Sequence, residues 1–418
     1  MVVEIASRWT FKGIVGDGEN WKKYQESYGE EVTKEQRREV EKMLGCGDGS
    51  AGFARYVCLD CGEEKCISFS CKSRVCSGCG KVYADEWSER LASRLLKVTH
   101  RHMTMTVPSE LWGILEGNAE WRKVLFEAAD ATLQAVMKNR PGMVVTLHPY
   151  GKDLKVNYHV HVLVPEGGMD EKGRWKAQSF INYEKLRKVW QYEILTRLGR
   201  VMPESLENKR LINELFMRYK KGFYVNGEPK VKDGRGIGRY IGRYLRHPAI
   251  ADSRIVSYDG QEVTFSYHER DKGHKVNRKK TLPVLAFMHG VIRHIPPRQF
   301  KMVRYYGIYA PRKQALVKQL LKRMGSLLGR VVSSVSWRAR RQRDFQEDPL
   351  RCPRCASTEM VLFSLTLPWG GQLRTIGGWS WLFARGDLID IPLQQPDQTL
   401  TQSESLPFQD SFDFPAAA

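Results

Sequence analysis

Short stretches of alternating hydrophobic and polar residues predict five β-strands, four of which pair as two hairpins. One hairpin turns at residues 151–153, and the other turns at Asp259-Gly260, a dipeptide typical of tight hairpin turns. Pro108 ends the remaining strand, because proline cannot donate a hydrogen bond to a neighbouring strand. The predicted strands are 102–107, 142–149, 157–164, 254–258 and 261–267.

Hydrophobic residues at helical spacing predict α-helices between these strands. The first predicted helix has acidic residues early and basic residues late, the order that the helix dipole favours. Residues 46–80 are rich in cysteine and glycine and too loop-like to hold a hydrophobic core. After residue 385 the chain has no basic residue, and its polar composition predicts a disordered tail. The predicted helices are 28–44, 109–139, 181–198 and 203–220.

Charge and cysteine content narrow the class of protein. The formal charge is +20, from 67 basic and 47 acidic residues, which predicts a polyanionic partner, nucleic acid before a membrane surface. The absence of any run of about 18 apolar residues predicts no membrane-spanning helix, and the N-terminus lacks a secretory pattern. Nine cysteines in such a chain indicate a reducing compartment, where spaced cysteines are more often metal ligands than disulfides.

Two CxxC pairs predict a structural zinc site. Cys58 and Cys61 are followed, after fourteen residues, by Cys76 and Cys79. Each pair is expected to form a tight knuckle, so that four thiolates converge on one tetrahedral Zn²⁺. In a chain of this charge, such a zinc ion would shape a DNA-binding module.

Five further cysteines leave the ligand set open. Cys66 and Cys71 lie between the two pairs and Cys46 lies before them, so they can replace a ligand or complete a second site. Cys352 and Cys355 form half of another such site, but no second pair follows them. A single CxxC is weak support for metal binding, and a site there is not predicted.

The sequence His159-Val160-His161 lies in a predicted strand. Side chains alternate between the two faces of a strand, so both imidazoles point the same way. His148 lies on the other arm of the hairpin, roughly opposite His159. Three neutral imidazoles on one face predict a divalent metal site with positions open for phosphate oxygens. Alone, the pattern also fits an ordinary surface strand.

Paired tyrosines on a predicted helix are candidate nucleophiles. Tyr240 and Tyr244 are four residues apart and therefore share a helix face. Arg239, Arg243 and Arg246 crowd the same segment. A phenol with a pKa near 10 is a poor nucleophile at pH 7, and nearby cations with a metal-polarised phosphate would supply the activation it needs. Attack on a DNA phosphodiester would exchange one phosphate ester for another and need no ATP. Alone, such a helix also fits packing or phosphate contact.

This combination resembles the two-tyrosine HUH transposases of the insertion-sequence-91 group, which move by rolling-circle replication. HUH stands for His–hydrophobic–His, here His159-Val160-His161. The resemblance covers roughly residues 30–330, and the order of the blocks is more specific than any single block. The blocks in chain order are 52–80, 101–108, 146–168, 223–226, 240–255 and 294–310.

The resemblance implies an α+β fold: an N-terminal zinc-binding module, an HUH endonuclease core of antiparallel sheet with packed helices, and a basic helical C-terminal region. It implies that His159 and His161 hold a catalytic Mg²⁺ or Mn²⁺ ion, with His148 as the third ligand. It also implies that Tyr240 and Tyr244 are the two nucleophiles.

The implied activity is cleavage and rejoining of single-stranded DNA at insertion-sequence ends through a 5′-phosphotyrosine intermediate. Arg239, Arg243 and Arg246 would contact DNA phosphates, and the ten basic residues of 311–343 extend this basic character. No Gly-rich nucleotide-binding loop of the P-loop type occurs, so strand separation would come from a host helicase and the host replication machinery. We expect the protein to act in the prokaryotic cytoplasm, associated with the nucleoid, with no membrane partner.

The predicted organisation has five segments. They are an N-terminal helical segment (1–45), the zinc-binding module (46–90), the HUH catalytic domain (95–270), the basic C-terminal region (271–345), and the segment 346–418, with its CxxC pair and disordered tail.

Two alternatives remain open from the sequence. One is an HUH enzyme with another task, a plasmid replication initiator or a conjugative relaxase. The other is a zinc-containing DNA-binding protein without enzymatic activity, which would bind DNA but form no covalent adduct.

Overall fold

A computed structural model of the chain describes residues 9–96, 98–227, 249–271, 274–313, 315, 319, 337–368, 372–376, 379–384 and 387–389. The helices are α1 (Phe11–Gly16), α2 (Asn20–Tyr28), α3 (Lys34–Leu44), α4 (Ser77–Arg94), α5 (Trp112–Gly117), α6 (Lys123–Val136), α7 (Tyr183–Val201), α8 (Leu206–Arg218), α9 (Val284–Ile292) and α10 (Trp337–Phe345). The strands are β1 (Phe53–Cys58), β2 (Glu64–Ser68), β3 (His100–Thr106), β4 (Met143–Tyr150), β5 (Val156–Pro165), β6 (Gly167–Met169), β7 (Trp175–Ala177), β8 (Val225–Gly227), β9 (Ile255–Tyr258), β10 (Glu262–Asp271), β11 (His274–Pro283), β12 (Val303–Tyr306), β13 (Met360–Thr366), β14 (Gln372–Ile376), β15 (Trp379–Ala384) and β16 (Asp387–Ile389).

The described residues divide into two compact units. The first unit takes its residues from Met1–Cys46 and Ser70–Val332, and the second from Gly47–Phe69 and Ser333–Ala418. The cysteine-rich stretch predicted as one module is therefore shared between the units. None of the described helices combines the length and apolar character needed to cross a membrane.

A five-stranded antiparallel sheet forms the centre of the first unit. Its strand order is β12-β4-β5-β3-β8. Val160 and Val162 of β5 point to one face of this sheet, where they pack with Phe126 of α6 and with Trp190 and Leu195 of α7. All five side chains are fully buried, so the removal of apolar surface from water is the main stabilisation of this layer.

The opposite face of the same sheet carries apolar residues at one end and histidines at the other. Leu163 of β5 and Val144 of β4 pack there against Trp87 and Leu91 of α4 and against Ile308. His159 and His161 alternate with the valines of β5 and therefore lie on the face of Leu163. The polar part of this face is where a functional site can form.

A second core in the first unit joins the N-terminal helices to the sheet of β9, β10 and β11. Phe11 of α1 and Val40 of α3 belong to the same buried cluster as Phe265 of β10 and Phe287 of α9. Helix α3 begins with a capping box, in which the Thr33 hydroxyl accepts a hydrogen bond from the Gln36 amide while the Gln36 side chain accepts one from the Thr33 amide.

The second unit contains a six-stranded sheet of order β16-β15-β14-β13-β1-β2. Strand β1 lies between β2 and β13 and pairs with both in antiparallel fashion. The tail after residue 385 is predicted to be disordered, and that prediction is wrong for strand β16, which lies beyond this residue. The residues after 389 lie outside the described part of the chain.

Local patterns predict five of the sixteen strands given above. The predicted α+β class with antiparallel sheets is confirmed, and β3, β4, β5, β9 and β10 lie close to the five predicted strands. Strand β11 was not predicted, because its segment 274–283 is polar and basic and shows little alternation. It forms a strand through continuous pairing with β10.

We expect the packing of α7 against the sheet to determine the stability of the first unit. Leu195→Ala removes a fully buried side chain and should lower the free energy of unfolding by about 2–5 kcal/mol. The control Tyr192→Ala changes an exposed residue of the same helix and should alter it by less than about 0.5 kcal/mol. Urea unfolding followed by tryptophan fluorescence measures both, and equal losses would contradict the assigned core.

Candidate functional site

Three histidines converge on the polar part of the central sheet. The register of β4 and β5 places His148 directly opposite His159, and His161 lies two residues further along the same face. One ring nitrogen from each histidine lies within 4.8 Å of the others. We call His148, His159 and His161 the histidine cluster. The predicted convergence of these three residues is observed.

A hydrogen bond determines which ring nitrogen of the neutral His159 side chain carries the proton. The Nδ1 atom of His159 lies 2.8 Å from the carbonyl oxygen of Asn157, which can only accept a hydrogen bond. Nδ1 therefore carries the proton in the neutral ring, and Nε2 is the acceptor. This Nε2 lies 3.0 Å from Nδ1 of His148, so the nitrogen available for a metal faces the rest of the cluster.

A fourth histidine supports His161 from the neighbouring strand. Nε2 of His102 lies 2.9 Å from Nδ1 of His161, and the Thr104 hydroxyl lies 3.3 Å from the same nitrogen. Histidines that bind metals commonly have their second ring nitrogen held in this way, which fixes the ring orientation. His102 is not among the site residues that the sequence predicts. The sequence gives one indication of it, because His102 lies in the predicted strand 102–107. In the structure this segment pairs with the HUH strand.

The surroundings keep these imidazoles neutral. Loss of hydration lowers the pKa of His159 and of His102 to about 4. The same effect, with repulsion from neighbouring histidines, lowers the pKa values of His148 and His161 well below the ordinary value. A neutral imidazole is the form that binds metals. The three donors therefore fit one divalent ion, and because imidazole nitrogen suits transition metals, Mn²⁺ fits this set better than Mg²⁺.

A cavity of about 390 Å³ lies beside the histidine cluster. His148 and Tyr150 line it together with the basic side chains Arg74 and Lys301. The Tyr150 ring centroid is 4.1 Å from that of His148 and 4.9 Å from that of His294. An aromatic wall with two cations can accept a base and a phosphate of a nucleic acid.

The candidate nucleophiles and their neighbouring arginines belong to one segment of the chain. They lie in 228–248, outside the described residues, and their roles remain predictions. They are Tyr240, Tyr244, Arg239, Arg243 and Arg246.

The predicted zinc site of Cys58, Cys61, Cys76 and Cys79 is corrected by the structure. Cys76 and Cys79 lie with Cys46 and Cys71 in the first unit. We call these four residues the N-terminal cysteine cluster. Its Sγ–Sγ distances from Cys46 to Cys79, from Cys46 to Cys76 and from Cys71 to Cys79 are 3.8, 3.6 and 3.6 Å. Four thiolates around one Zn²⁺ at about 2.3 Å would lie about 3.8 Å apart, so the set fits zinc.

Helix α3 positions the loop of the N-terminal cysteine cluster. The hydroxyl of Ser73 donates to the carbonyl oxygen of Glu39 at 2.6 Å, and the amide of Arg74 donates to the Glu39 carboxylate at the same distance. Cys46 follows the end of α3, while Cys76 caps the start of α4. The open alternative, in which Cys46 and Cys71 complete a site, is therefore the observed one.

The other pair, Cys58 and Cys61, lies in the second unit with Cys352 and Cys355. We call these four residues the split cysteine cluster. The expectation that the CxxC at 352–355 has no partner pair is wrong, because β13 pairs with β1 and the two CxxC segments adjoin these strands. Cys66 belongs to neither cluster and is exposed.

Comparison with known proteins gives two family matches and two curated relatives. Residues 18–107 match the family described as "Transposase zinc-binding domain", and residues 142–315 match the one described as "Putative transposase". The chain is 33% identical over 294 residues to the "Transposase for insertion sequence element IS801" of Pseudomonas savastanoi pv. phaseolicola, an alignment that covers 65% of this chain and 70% of that protein. It is 25% identical over 379 residues to the "Putative transposase y4qJ" of Sinorhizobium fredii, covering 82% and 94% of the two chains. No solved structure matches the chain.

The histidine cluster predicts a measurable divalent-metal site. In zinc-loaded protein, His159→Ala should abolish Mn²⁺ binding measured by isothermal titration calorimetry, because it removes a ligand nitrogen. His102→Ala should weaken binding by about 10- to 100-fold, because it removes the support of His161. His274→Ala, an exposed histidine at the start of β11, is the control and should leave affinity unchanged. Normal Mn²⁺ binding by His159→Ala would refute the assignment.

Proposed function

The chain belongs to the insertion-sequence transposases of the IS91/IS801 type, and on that premise we propose that it cleaves and rejoins single-stranded DNA at element ends through a 5′-phosphotyrosine intermediate. Transposition requires DNA cleavage and strand transfer.

The observation that most strongly supports this proposal is the histidine cluster. It consists of three neutral imidazoles on one sheet face, beside a basic and aromatic cavity. Burying a polar ring costs free energy unless it has hydrogen-bond or metal partners. Here two of the rings are oriented by Asn157 and His102, so that the donor nitrogens converge. A Mg²⁺ or Mn²⁺ ion held by these residues would offset the negative charge that develops on a scissile phosphate. Three histidines without a chemical role would not need donor nitrogens that converge on one point.

In the proposed reaction, the hydroxyl of Tyr240 or Tyr244 attacks the scissile phosphorus. The new bond joins the phenolic oxygen to phosphorus, and the bond from phosphorus to the 3′ oxygen breaks. The phenol loses its proton and the departing 3′ oxygen gains one, so a 5′-phosphotyrosine and a free 3′-OH result. One ester replaces another, and the reverse attack by a 3′-OH rejoins DNA without ATP. A second tyrosine lets one chain hold a second DNA end.

The basic character of the chain supports a DNA substrate. A formal charge of +20 favours backbone phosphates, and binding of this kind weakens as salt rises. Arg239, Arg243 and Arg246 flank the tyrosines in the sequence and are proposed to hold the phosphates next to the cleaved bond. A host helicase and replication machinery would separate the strands and extend the free 3′-OH, in a rolling-circle cycle in the cytoplasm at the nucleoid.

The alternative of an HUH replication initiator or relaxase shares the histidine cluster and the tyrosine chemistry. The match of residues 18–107 to a transposase zinc-binding domain favours the transposase. A DNA-binding protein without enzymatic activity would not require a metal-ready histidine cluster.

A covalent adduct tests the proposal. Labelled single-stranded DNA from an element end, incubated with the protein and Mn²⁺ or Mg²⁺, should give a complex that survives denaturation. Tyr240→Phe and Tyr244→Phe should each reduce the adduct, and the double variant should lack it, because phenylalanine has no nucleophilic oxygen. Tyr192→Phe, an exposed tyrosine of α7, should form normal amounts.

The His161→Ala variant separates chemistry from binding. It should retain DNA affinity in a filter-binding assay and lose the adduct, because the basic surface is intact and the phosphate is no longer activated. A full yield of adduct from the double tyrosine variant would refute the proposed nucleophiles. Normal DNA binding with no adduct from the wild-type protein would favour the non-enzymatic alternative.

A further inference from the structure

The two CxxC segments of the split cysteine cluster form matching backbone turns. In the first, the amide of Gly62 donates to the carbonyl oxygen of Cys58 at 2.9 Å, and the Cys58 amide donates to the carbonyl oxygen of Glu63 at 2.9 Å. In the second, the amide of Ala356 donates to the Cys352 carbonyl at 3.1 Å, and the Cys352 amide donates to the carbonyl of Ser357 at 2.8 Å. The two turns therefore share the same hydrogen bonds at the same offsets.

The backbone after each pair also adopts the same unusual conformation. Gly62 has φ +73°, and Ala356, at the equivalent position, has φ +61°. A left-handed conformation is uncommon for alanine and costs about 1 kcal/mol or more, so the turn at Ala356 must be held by its surroundings. Such a turn brings the two sulfurs of a CxxC pair to one side.

The four sulfurs have the spacing of a single tetrahedral ion. Sγ of Cys58 lies 3.6 Å from Sγ of Cys355, and Sγ of Cys61 lies 3.6 Å from Sγ of Cys352. All four lie within 4.8 Å of one another. A disulfide bond would require about 2.05 Å, whereas thiolates on one Zn²⁺ lie about 3.8 Å apart.

Strand pairing and an ion pair hold the two segments in place. The amide of Leu59 donates to the carbonyl oxygen of Glu359 at 2.9 Å, which extends the pairing of β1 with β13 into the turns. Arg338 of α10 forms a two-pronged ion pair with Asp348, at 2.7 and 2.9 Å. The same carboxylate accepts the amide of Leu350 at 3.0 Å, just before Cys352.

The hydrophobic core around this site is small. Its buried members among the described residues are Cys58, Cys352 and Met360, with Tyr56, Cys61 and Leu350 packed against them. Among the described residues, this cluster therefore adds little buried apolar surface around the four sulfurs. In a reducing compartment, four converging thiols are expected to bind a metal ion, because disulfides are rare there.

We propose that Cys58, Cys61, Cys352 and Cys355 bind a second structural Zn²⁺, additional to the ion of the N-terminal cysteine cluster. The matched family segments end at residues 107 and 315, so Cys352 and Cys355 lie outside both. The second ion joins two parts of the chain that are about 300 residues apart in sequence and thereby fixes β13 beside β1.

Metal stoichiometry tests the second site. Full-length protein purified under reducing conditions should contain two zinc ions per chain by inductively coupled plasma mass spectrometry. Cys352→Ser/Cys355→Ser should contain one, and the matched variant Cys46→Ser/Cys71→Ser should also contain one. Cys66→Ser is the control and should keep both ions. One zinc in the wild-type protein, two in Cys352→Ser/Cys355→Ser, or iron in place of zinc would overturn the proposal.

A ligand-preserving substitution distinguishes coordination from folding. Cys355→His retains a zinc ligand, since three cysteines and one histidine form an accepted structural site, and should keep two ions. Cys355→Ala should keep one. Equal zinc contents in these two variants would overturn the proposal, because Cys355 would then not act through its ligand atom.

Discussion

The register between β4 and β5 is the constraint on which the candidate site depends. It sets His148 opposite His159 and fixes which residues of β5 face the helices. Because side chains alternate with a period of two, a slip of one residue would turn Val160 and Val162 toward the polar face and carry His159 and His161 into the hydrophobic core. Such a slip would separate the imidazoles from their hydrogen-bond partners, place them among apolar side chains and remove the valines from the core, and the cost of these changes protects the geometry of the site. Core stability and functional geometry are specified by the same strand pairing.

The histidine cluster is also prepared electrostatically. Its imidazoles have lost hydration and remain neutral, so no proton must leave before a cation binds. The bonds from His159 to Asn157 and between His161 and His102 hold rings that would otherwise rotate. Because these supports belong to the strands themselves or to the neighbouring β3, the ligand positions inherit the rigidity of the sheet. A site on a flexible loop would lose more conformational entropy on metal binding.

Features set by residues close together in the chain could be predicted from the sequence, and features set by tertiary pairing could not. The hairpin of β4 and β5, the three converging histidines and the hairpin at Asp259-Gly260 follow from local alternation and turn residues. The correct cysteine groups do not, because two neighbouring CxxC pairs look like one site when only spacing is considered. Their true partners, Cys46 with Cys71 on one side and Cys352 with Cys355 on the other, depend on tertiary pairing. His102 was missed for the same reason, since it reaches His161 only through the register of β3 and β5.

The donor types indicate separate tasks for the three candidate metal sites. Four thiolates complete the coordination of zinc and leave no position for a substrate, so a cysteine cluster can stabilise a fold but has no place for a phosphate. Three imidazoles leave positions open on a divalent ion, and the histidine cluster lies beside a cavity with Arg74 and Lys301. The cysteine clusters would thus contribute folding free energy when they bind zinc, while the buried core of the central sheet is built from apolar side chains. Removal of metal from the histidine cluster should therefore lower activity and leave the fold largely intact, whereas loss of zinc should destabilise the fold first.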